Sequence, residues 1–178
     1  MNTLIIYHSK TGFTKKYAQW LHEDLGCDFI PYSQRRQADL SKYQTIVFGS
    51  GIYVGKICKL PWFKKQLPKL RDKKLCVFFT GAMPAEPADI RRIERENFTQ
   101  DEQRRIKSFY LRGGLNYAAM NPKDKLLMAV FRKTLKSNAS SPKERIMLQN
   151  VEQSFDLTSR DDLKPLKDYL LSEKPAHQ

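Results

Sequence analysis

The sequence lacks the residue patterns that build metal centres and disulfide frameworks. Its three cysteines, Cys27, Cys58 and Cys76, show neither C-x-x-C spacing nor adjacent histidines. An odd number of cysteines without such a pattern favours reduced thiols and argues against a metal site. No spaced set of histidine, cysteine and aspartate supports hydrolysis or metal catalysis, so no catalytic residue is assigned.

Long apolar runs are also missing. No run approaches the ~20 residues of a membrane-spanning helix, and no basic segment with an apolar one behind it opens the chain. We therefore expect a cytoplasmic protein. The 178 residues, 40% apolar and 11% aromatic, suffice for one folded domain over 1–178, with 174–178 expected as a frayed tail.

Acidic residues are scarce relative to basic ones. The chain has 32 Lys and Arg against 19 Asp and Glu, a net charge of +13, which favours anionic partners. The excess is concentrated in Lys56–Lys74 and Lys123–Arg145. Neither segment has the interleaved aromatic residues or groove-reading motifs of nucleic-acid binders, so no specific nucleic-acid partner is expected. A solvated basic face and a docking surface for an anionic partner both remain open.

Strands and helices alternate along the chain, which predicts an α/β fold with a doubly wound parallel sheet. The predicted strands are continuously apolar, as strands covered on both faces are. They lie at Thr3–Tyr7, Cys27–Tyr32, Gln44–Ser50, Leu75–Thr80 and about Lys107–Leu111. Predicted helices cover Phe13–Leu25, about Lys59–Leu67, and a stretch beginning near Ala88.

The loop Ser9–Thr14 joins the first strand to the first helix and is rich in hydroxyl groups. Free N–H groups of the first helical turn, together with the helix dipole, favour an anion there. The loop has too few glycines for a P-loop or a dinucleotide fingerprint. Its hydroxyls and Gly12 suit the phosphate of a mononucleotide such as FMN. An ordinary helix-capping turn is the alternative interpretation.

Two further loops follow the third and fourth predicted strands. Ligands of such sheets bind at the carboxyl ends of the strands. Gly49–Gly55 contains three glycines, which allow the backbone to approach a planar ligand, and Tyr53 offers a stacking face. Thr80–Pro84 is again a small turn with backbone N–H groups for ring atoms. Each loop alone is also compatible with a simple tight connection.

The three loops together resemble the FMN-contacting loops of the flavodoxin family, whose phosphate loop has the pattern Ser-x-Thr-Gly-x-Thr. The resemblance implies a three-layer, five-stranded parallel sheet of order 2-1-3-4-5 with non-covalent FMN. By this resemblance the phosphate lies against Ser9, Lys10, Thr11, Gly12, Phe13 and Thr14. One side of the flavin ring lies against Ser50, Gly51, Ile52 and Tyr53, and the other against Thr80, Gly81, Ala82 and Met83.

The segment Phe109–Tyr117, continuing into Lys123–Met128, is similar to one branch of that family. This branch contains menaquinone-dependent protoporphyrinogen dehydrogenase, which implies an oxidoreductase acting on a porphyrinogen with a quinone. An electron-transfer flavodoxin serving a protein partner and a cofactor-free interaction module remain open alternatives. An enzyme is expected to have a roof over the flavin edge, built from 82–97 or 112–122, whereas a carrier leaves that edge open.

A basic amphipathic helix is predicted from Asn121 to Ser137. Its apolar side chains are surrounded by lysines and an arginine. Two interpretations remain open: the helix covers the sheet, or it touches an anionic membrane surface. Further helices are predicted at Glu144–Gln153 and in the last segment, where three leucines form a core-facing stripe: Leu163, Leu166 and Leu170.

Overall fold

A computed structural model describes residues 2–82, 85–138, 148, 151 and 153–172. Five parallel strands form the central sheet, in chain order β1 (Thr3–His8), β2 (Asp28–Pro31), β3 (Thr45–Tyr53), β5 (Lys74–Gly81) and β6 (Ile106–Arg112). Their spatial order is β2-β1-β3-β5-β6, with β4 (Lys56–Ile57) paired only to β3. Counted over the parallel strands alone, the order is 2-1-3-4-5, which confirms the predicted α/β fold.

The described helices lie at the predicted positions along the chain, with one exception. Those described are α1 (Phe13–Leu25), α2 (Leu60–Gln66), α3 (Pro87–Asn97), α4 (Gln100–Arg105), α5 (Pro122–Asn138) and α6 (Lys164–Leu171). α4 was not predicted, although the sequence contains a helix-start signal immediately before it. Thr99 and Glu102 form a capping box, with each side chain bonded to the other residue's backbone N–H.

Two apolar layers cover the two faces of the sheet, and this explains why its strands are continuously apolar. On one face, Ile6 and Phe48 pack with Phe63 of α2. On the other, Ile5 and Val47 pack with side chains of α1 and α6. The predicted stripe of leucines before and within α6 is confirmed, because all three are buried in that second layer.

The prediction that β3 ends at Ser50 was wrong. β3 continues to Tyr53 and turns back to pair antiparallel with β4, so most of Gly49–Gly55 is strand and only Val54 and Gly55 form the turn. The glycines were taken as signs of a loop, but Gly49 lies within the strand and leaves room for a neighbouring ring. A Cβ built on it would lie 2.2 Å from the Phe78 ring.

α5 does not cover the sheet, so that interpretation of it was wrong. None of its residues belongs to either apolar layer, and four of its apolar side chains are exposed: Leu126, Leu127, Val130 and Phe131. The chain between β6 and α5 contains β7 (Gly114–Leu115), which pairs antiparallel with β8 (Phe155–Asp156).

Two other predictions, the tail at 174–178 and most of the helix at Glu144–Gln153, lie outside the described residues. In the part of the chain that is described, no helix has both the length and the apolar character needed to cross a bilayer.

Candidate functional site

A cavity of about 540 Å³ lies where the carboxyl ends of β1, β3, β5 and β6 meet α5. This volume is within the roughly 300–1,000 Å³ typical of small-molecule sites. The sheet side contributes ten of the predicted site residues: Lys10, Thr11, Phe13, Thr14, Gly51, Ile52, Tyr53, Thr80, Gly81 and Ala82. The opposite wall comes mainly from α5, through Asp124, Leu127, Met128, Val130, Phe131 and Thr134.

The loop before α1 has the geometry of an anion site. Gly12 caps the helix at φ 103°, and a Cβ built on it would meet no atom within 4 Å. Its N–H donates to Ser9 Oγ at 3.2 Å, and the first intrahelical bond is Lys16 N–H to Gly12 O. The N–H groups of the three residues between Gly12 and Lys16 therefore have no intrahelical acceptor.

A buried hydrogen bond joins this loop to the end of β5. The Oγ1 atoms of Thr14 and Thr80 lie 2.8 Å apart, and both residues are buried. The Thr14 hydroxyl is therefore engaged by Thr80. Thr11 also lines the cavity, and its hydroxyl forms no hydrogen bond with a described residue. The hydrogen bond between Thr14 and Thr80 fixes the first and third predicted loops relative to each other.

Three of the predicted site residues that the structure describes do not line the cavity. The Ser9 hydroxyl accepts a hydrogen bond from the Gly12 N–H, and Gly12 provides the left-handed residue of the turn. Ser50 is fully buried, with its Oγ 3.5 Å from His8 Nδ1. Met83 lies outside the described residues.

Backbone close to the cavity is packed tightly enough to require glycine. A Cβ on Gly114 would lie 2.1 Å from Phe155 O and 2.8 Å from the Phe13 ring, and one on Gly81 would lie 2.7 Å from the Tyr110 hydroxyl. Gly113 donates its N–H to Gly81 O at 2.7 Å. These contacts position the backbone at Gly113 and Gly114, which line the cavity together with Leu115 and Met120.

Asp124, which is not among the predicted site residues, ties α5 to the loop before α1. Asp124 is 8% exposed, and its carboxylate accepts hydrogen bonds from Lys10 Nζ (3.1 and 3.2 Å) and Asn121 Nδ2 (3.0 Å). Lys10 Nζ also lies 4.2 Å from the centre of the Tyr53 ring. A hydrogen bond to Asp124 raises the pKa of Tyr53. We call the group Lys10, Tyr53, Asn121 and Asp124 the latch.

The signal that could have identified Asp124 is its isolation. It is the one acidic residue between Asn121 and Asn138, a segment with five basic residues. A carboxylate that interrupts a basic helix in its first turn suggests a specific partner, and here that partner is 114 residues away in sequence.

The electrostatic environment of the cavity favours anions. Burial, Lys59 and Lys10 together lower the pKa of His8, in that order of size, so the imidazole is neutral at pH 7. Burial is also the main cause that raises the pKa of the Cys58 thiol. The first turn of α1 contains no acidic residue. Helix-terminal N–H groups and the Thr11 hydroxyl are donors of the kind that bind phosphate, and the charges of Lys10 and Lys59 add positive potential nearby.

A metal ion is not suggested by the described residues, among which no group of three His, Cys, Asp or Glu side chains converges. Among the described residues that line the cavity, the one carboxylate is that of Asp124, which is already engaged by Lys10. The free N–H groups of the first turn of α1 fit a phosphorylated organic ligand.

Comparison with known proteins gives one family match. The flavodoxin domain model matches residues 4–141. No match was found among curated protein sequences.

Solved structures with similarity include the WrbA-like flavodoxin of Agrobacterium tumefaciens, 16% identical, covering 66% of this chain and 86% of that one, with a TM-score of 0.44. The flavoprotein in complex with FMN from Lactobacillus acidophilus is 17% identical. The match covers 62% of this chain and 91% of that one, with a TM-score of 0.41. The Trp repressor binding protein of Bacillus subtilis is 14% identical. The match covers 64% of this chain and 84% of that one, with a TM-score of 0.46. Because these scores are low, the assignment rests on the family model, and on that basis the chain belongs to the flavodoxin domain family.

Proposed function

We propose that the protein binds FMN non-covalently in this cavity and uses it to transfer electrons. One observation carries the proposal: the phosphate loop and the carboxyl ends of the central strands open into a single cavity of ligand size. The family assignment and the FMN complex of the Lactobacillus acidophilus flavoprotein support the same cofactor.

The roles of the residues follow from their positions. The backbone N–H groups of the first turn of α1 and the Thr11 hydroxyl bind the phosphate. Tyr53 and the backbone at Gly81 and Ala82 line the part of the cavity that the ring occupies. The buried Thr14–Thr80 bond holds these two regions at a fixed separation. When bound, FMN supplies one- or two-electron chemistry, so no acid, base or nucleophile of the protein is required.

The wall formed by α5 favours an oxidoreductase with a bound substrate over an open electron carrier. Leu127, Met128 and Phe131 face the cavity together with residues of the strand ends. An apolar, planar substrate is the class that such a wall suits. A porphyrinogen oxidised with a quinone as acceptor is the finer proposal, which the family resemblance motivates.

Flavin analysis of the purified protein tests the cofactor. We expect a yellow protein whose released cofactor is FMN, and an apoprotein that regains flavin absorbance on titration with FMN. A colourless protein that gains none would identify a cofactor-free module. Anaerobic incubation of the loaded protein with protoporphyrinogen and a menaquinone analogue tests the finer proposal. Protein that is reduced only by another redox protein would be a carrier.

Substitution of Thr11 by Ala tests the site. Loss of a hydrogen bond to a charged phosphate should weaken FMN binding by about 1.5–3 kcal/mol, measured by fluorescence titration. Thr99→Ala is the matched control. It removes the α4 cap far from the cavity and should lower stability by about 1 kcal/mol while leaving FMN affinity unchanged. Equal affinities for the Thr11 variant and the unmodified protein would place the phosphate elsewhere.

A further inference from the structure

The exposed apolar side chains of the protein are concentrated at the mouth of the cavity. Among the described residues, eight large apolar side chains are exposed, and five of these also line the cavity. They come from the β3–β4 turn and from α5: Tyr53, Val54, Leu127, Val130 and Phe131. A clustered apolar surface of this kind marks an interaction site more often than single exposed residues do.

Val54 occupies a conformation that valine normally avoids. Its φ is +49° and that of Gly55 is +73°, so both central residues of a two-residue hairpin turn are left-handed. Asn-Gly is the favoured pair for such a turn, and a β-branched residue there is strained. Even so, the Val54 side chain is 74% exposed. A strained and exposed apolar residue gains nothing for folding, which points to a role outside the protein.

The outer surface of α5 is basic around its apolar side chains. Lys123, Lys125 and Lys133 are exposed and form no ion pair with any described residue. The one acidic residue of α5, Asp124, is buried in the latch. Leu126, 68% exposed, and Val130, 55% exposed, lie one helical turn apart among these lysines.

We propose that this surface docks the protein on an anionic phospholipid membrane. Val54, Leu126 and Val130 enter the headgroup region, and the three lysines contact lipid phosphates. A cluster of apolar side chains interspersed with ammonium groups matches a lipid interface, where apolar side chains can be buried without a shaped partner. In this orientation the mouth of the cavity faces the lipid. Docking does not require a bound flavin, so it stands or falls independently of the FMN proposal.

Co-sedimentation of the full chain with vesicles tests the proposal. We expect binding to vesicles that contain phosphatidylglycerol and little binding to pure phosphatidylcholine. Val54→Asn combined with Leu126→Gln should reduce the binding constant on the order of tenfold, since binding scales with the apolar area buried. Asn suits the left-handed turn and Gln suits a helix, so this variant should fold at least as well.

Charge reversal tests the electrostatic part. Lys123→Glu with Lys133→Glu should also reduce binding by at least about tenfold. Lys69→Glu with Arg71→Glu is the matched control, because it changes the charge equally at the opposite end of the sheet and should retain binding. Equal binding to both vesicle types, or equal losses in both charge pairs, would overturn the proposal. A dimer dissolved by the Val54 and Leu126 changes would instead assign the surface to a second copy. Binding to a small acidic ferredoxin but to no vesicle would assign it to a protein.

Discussion

The two walls of the cavity are held in place by different means. The strand-end wall is continuous with the core: Thr14 and Thr80 are buried and bonded to each other, and Phe78 fills the space beside Gly49. The α5 wall contributes no residue to either apolar layer and is tied to the phosphate loop through the latch. The fold therefore fixes the strand-end side of the cavity, whereas a few polar contacts hold the α5 side in place.

A Phe-to-Ala substitution should have very different costs in the core beneath the strand-end wall and on the α5 wall. Phe78→Ala removes a fully buried ring and should lower the free energy of unfolding by about 3–5 kcal/mol. Phe131→Ala removes a ring that is 37% exposed and should cost less than about 1.5 kcal/mol. Urea denaturation of both variants measures the difference. Similar losses of unfolding free energy in the two variants would mean that α5 is packed as firmly as the sheet, which would contradict the difference between the two walls.

The latch should contribute a smaller, local effect. Lys10→Met and Asp124→Asn, made singly and together, should show a coupling energy of roughly 0.5–1.5 kcal/mol, limited by solvent because the Lys10 side chain is 40% exposed. Hydrogen exchange should accelerate in α5 and stay slow in β1 and β5, because only the latch side loosens.

A surface ion pair provides the control for this cycle. Lys16 and Asp156 lie 2.8 Å apart with side chains 41% and 46% exposed, so their coupling should be smaller than that of the latch, and exchange in α5 should not change. If the Lys10 and Asp124 variants left α5 exchange unaltered, some other contact would hold this wall.

The sequence predicted the sheet and the turn at 9–14 between β1 and α1 because both depend on local patterns. Continuous apolar runs indicated the strands, and the hydroxyl-rich turn before α1 indicated the loop that we propose binds phosphate. The two glycines around Ser50 were misread as a loop because a glycine that admits a neighbouring ring looks the same in sequence as one that allows a turn.

The position of α5 could not be predicted from local sequence patterns, for a physical reason. An amphipathic helix has the same periodicity whether its apolar side covers a sheet or lines a cavity. The contact that places it, Lys10 with Asp124, joins residues 114 positions apart, and no local pattern encodes that pairing. For an enzyme, a roof was expected from 82–97 or 112–122. Ala82 and four residues of the second segment (Gly113, Gly114, Leu115 and Met120) line the cavity, but α5 supplies most of the wall opposite the strand ends.

The central claim is that the turn before α1 holds a phosphate while the cavity beyond it holds a flavin ring. Parallel fluorescence titrations of the apoprotein with FMN and with riboflavin, which lacks the phosphate, test it most directly. The loop geometry predicts that FMN binds at least about tenfold more tightly, since even one charge-assisted hydrogen bond provides about 1.5–3 kcal/mol. Equal affinity for the two flavins, or no affinity for either, would contradict it.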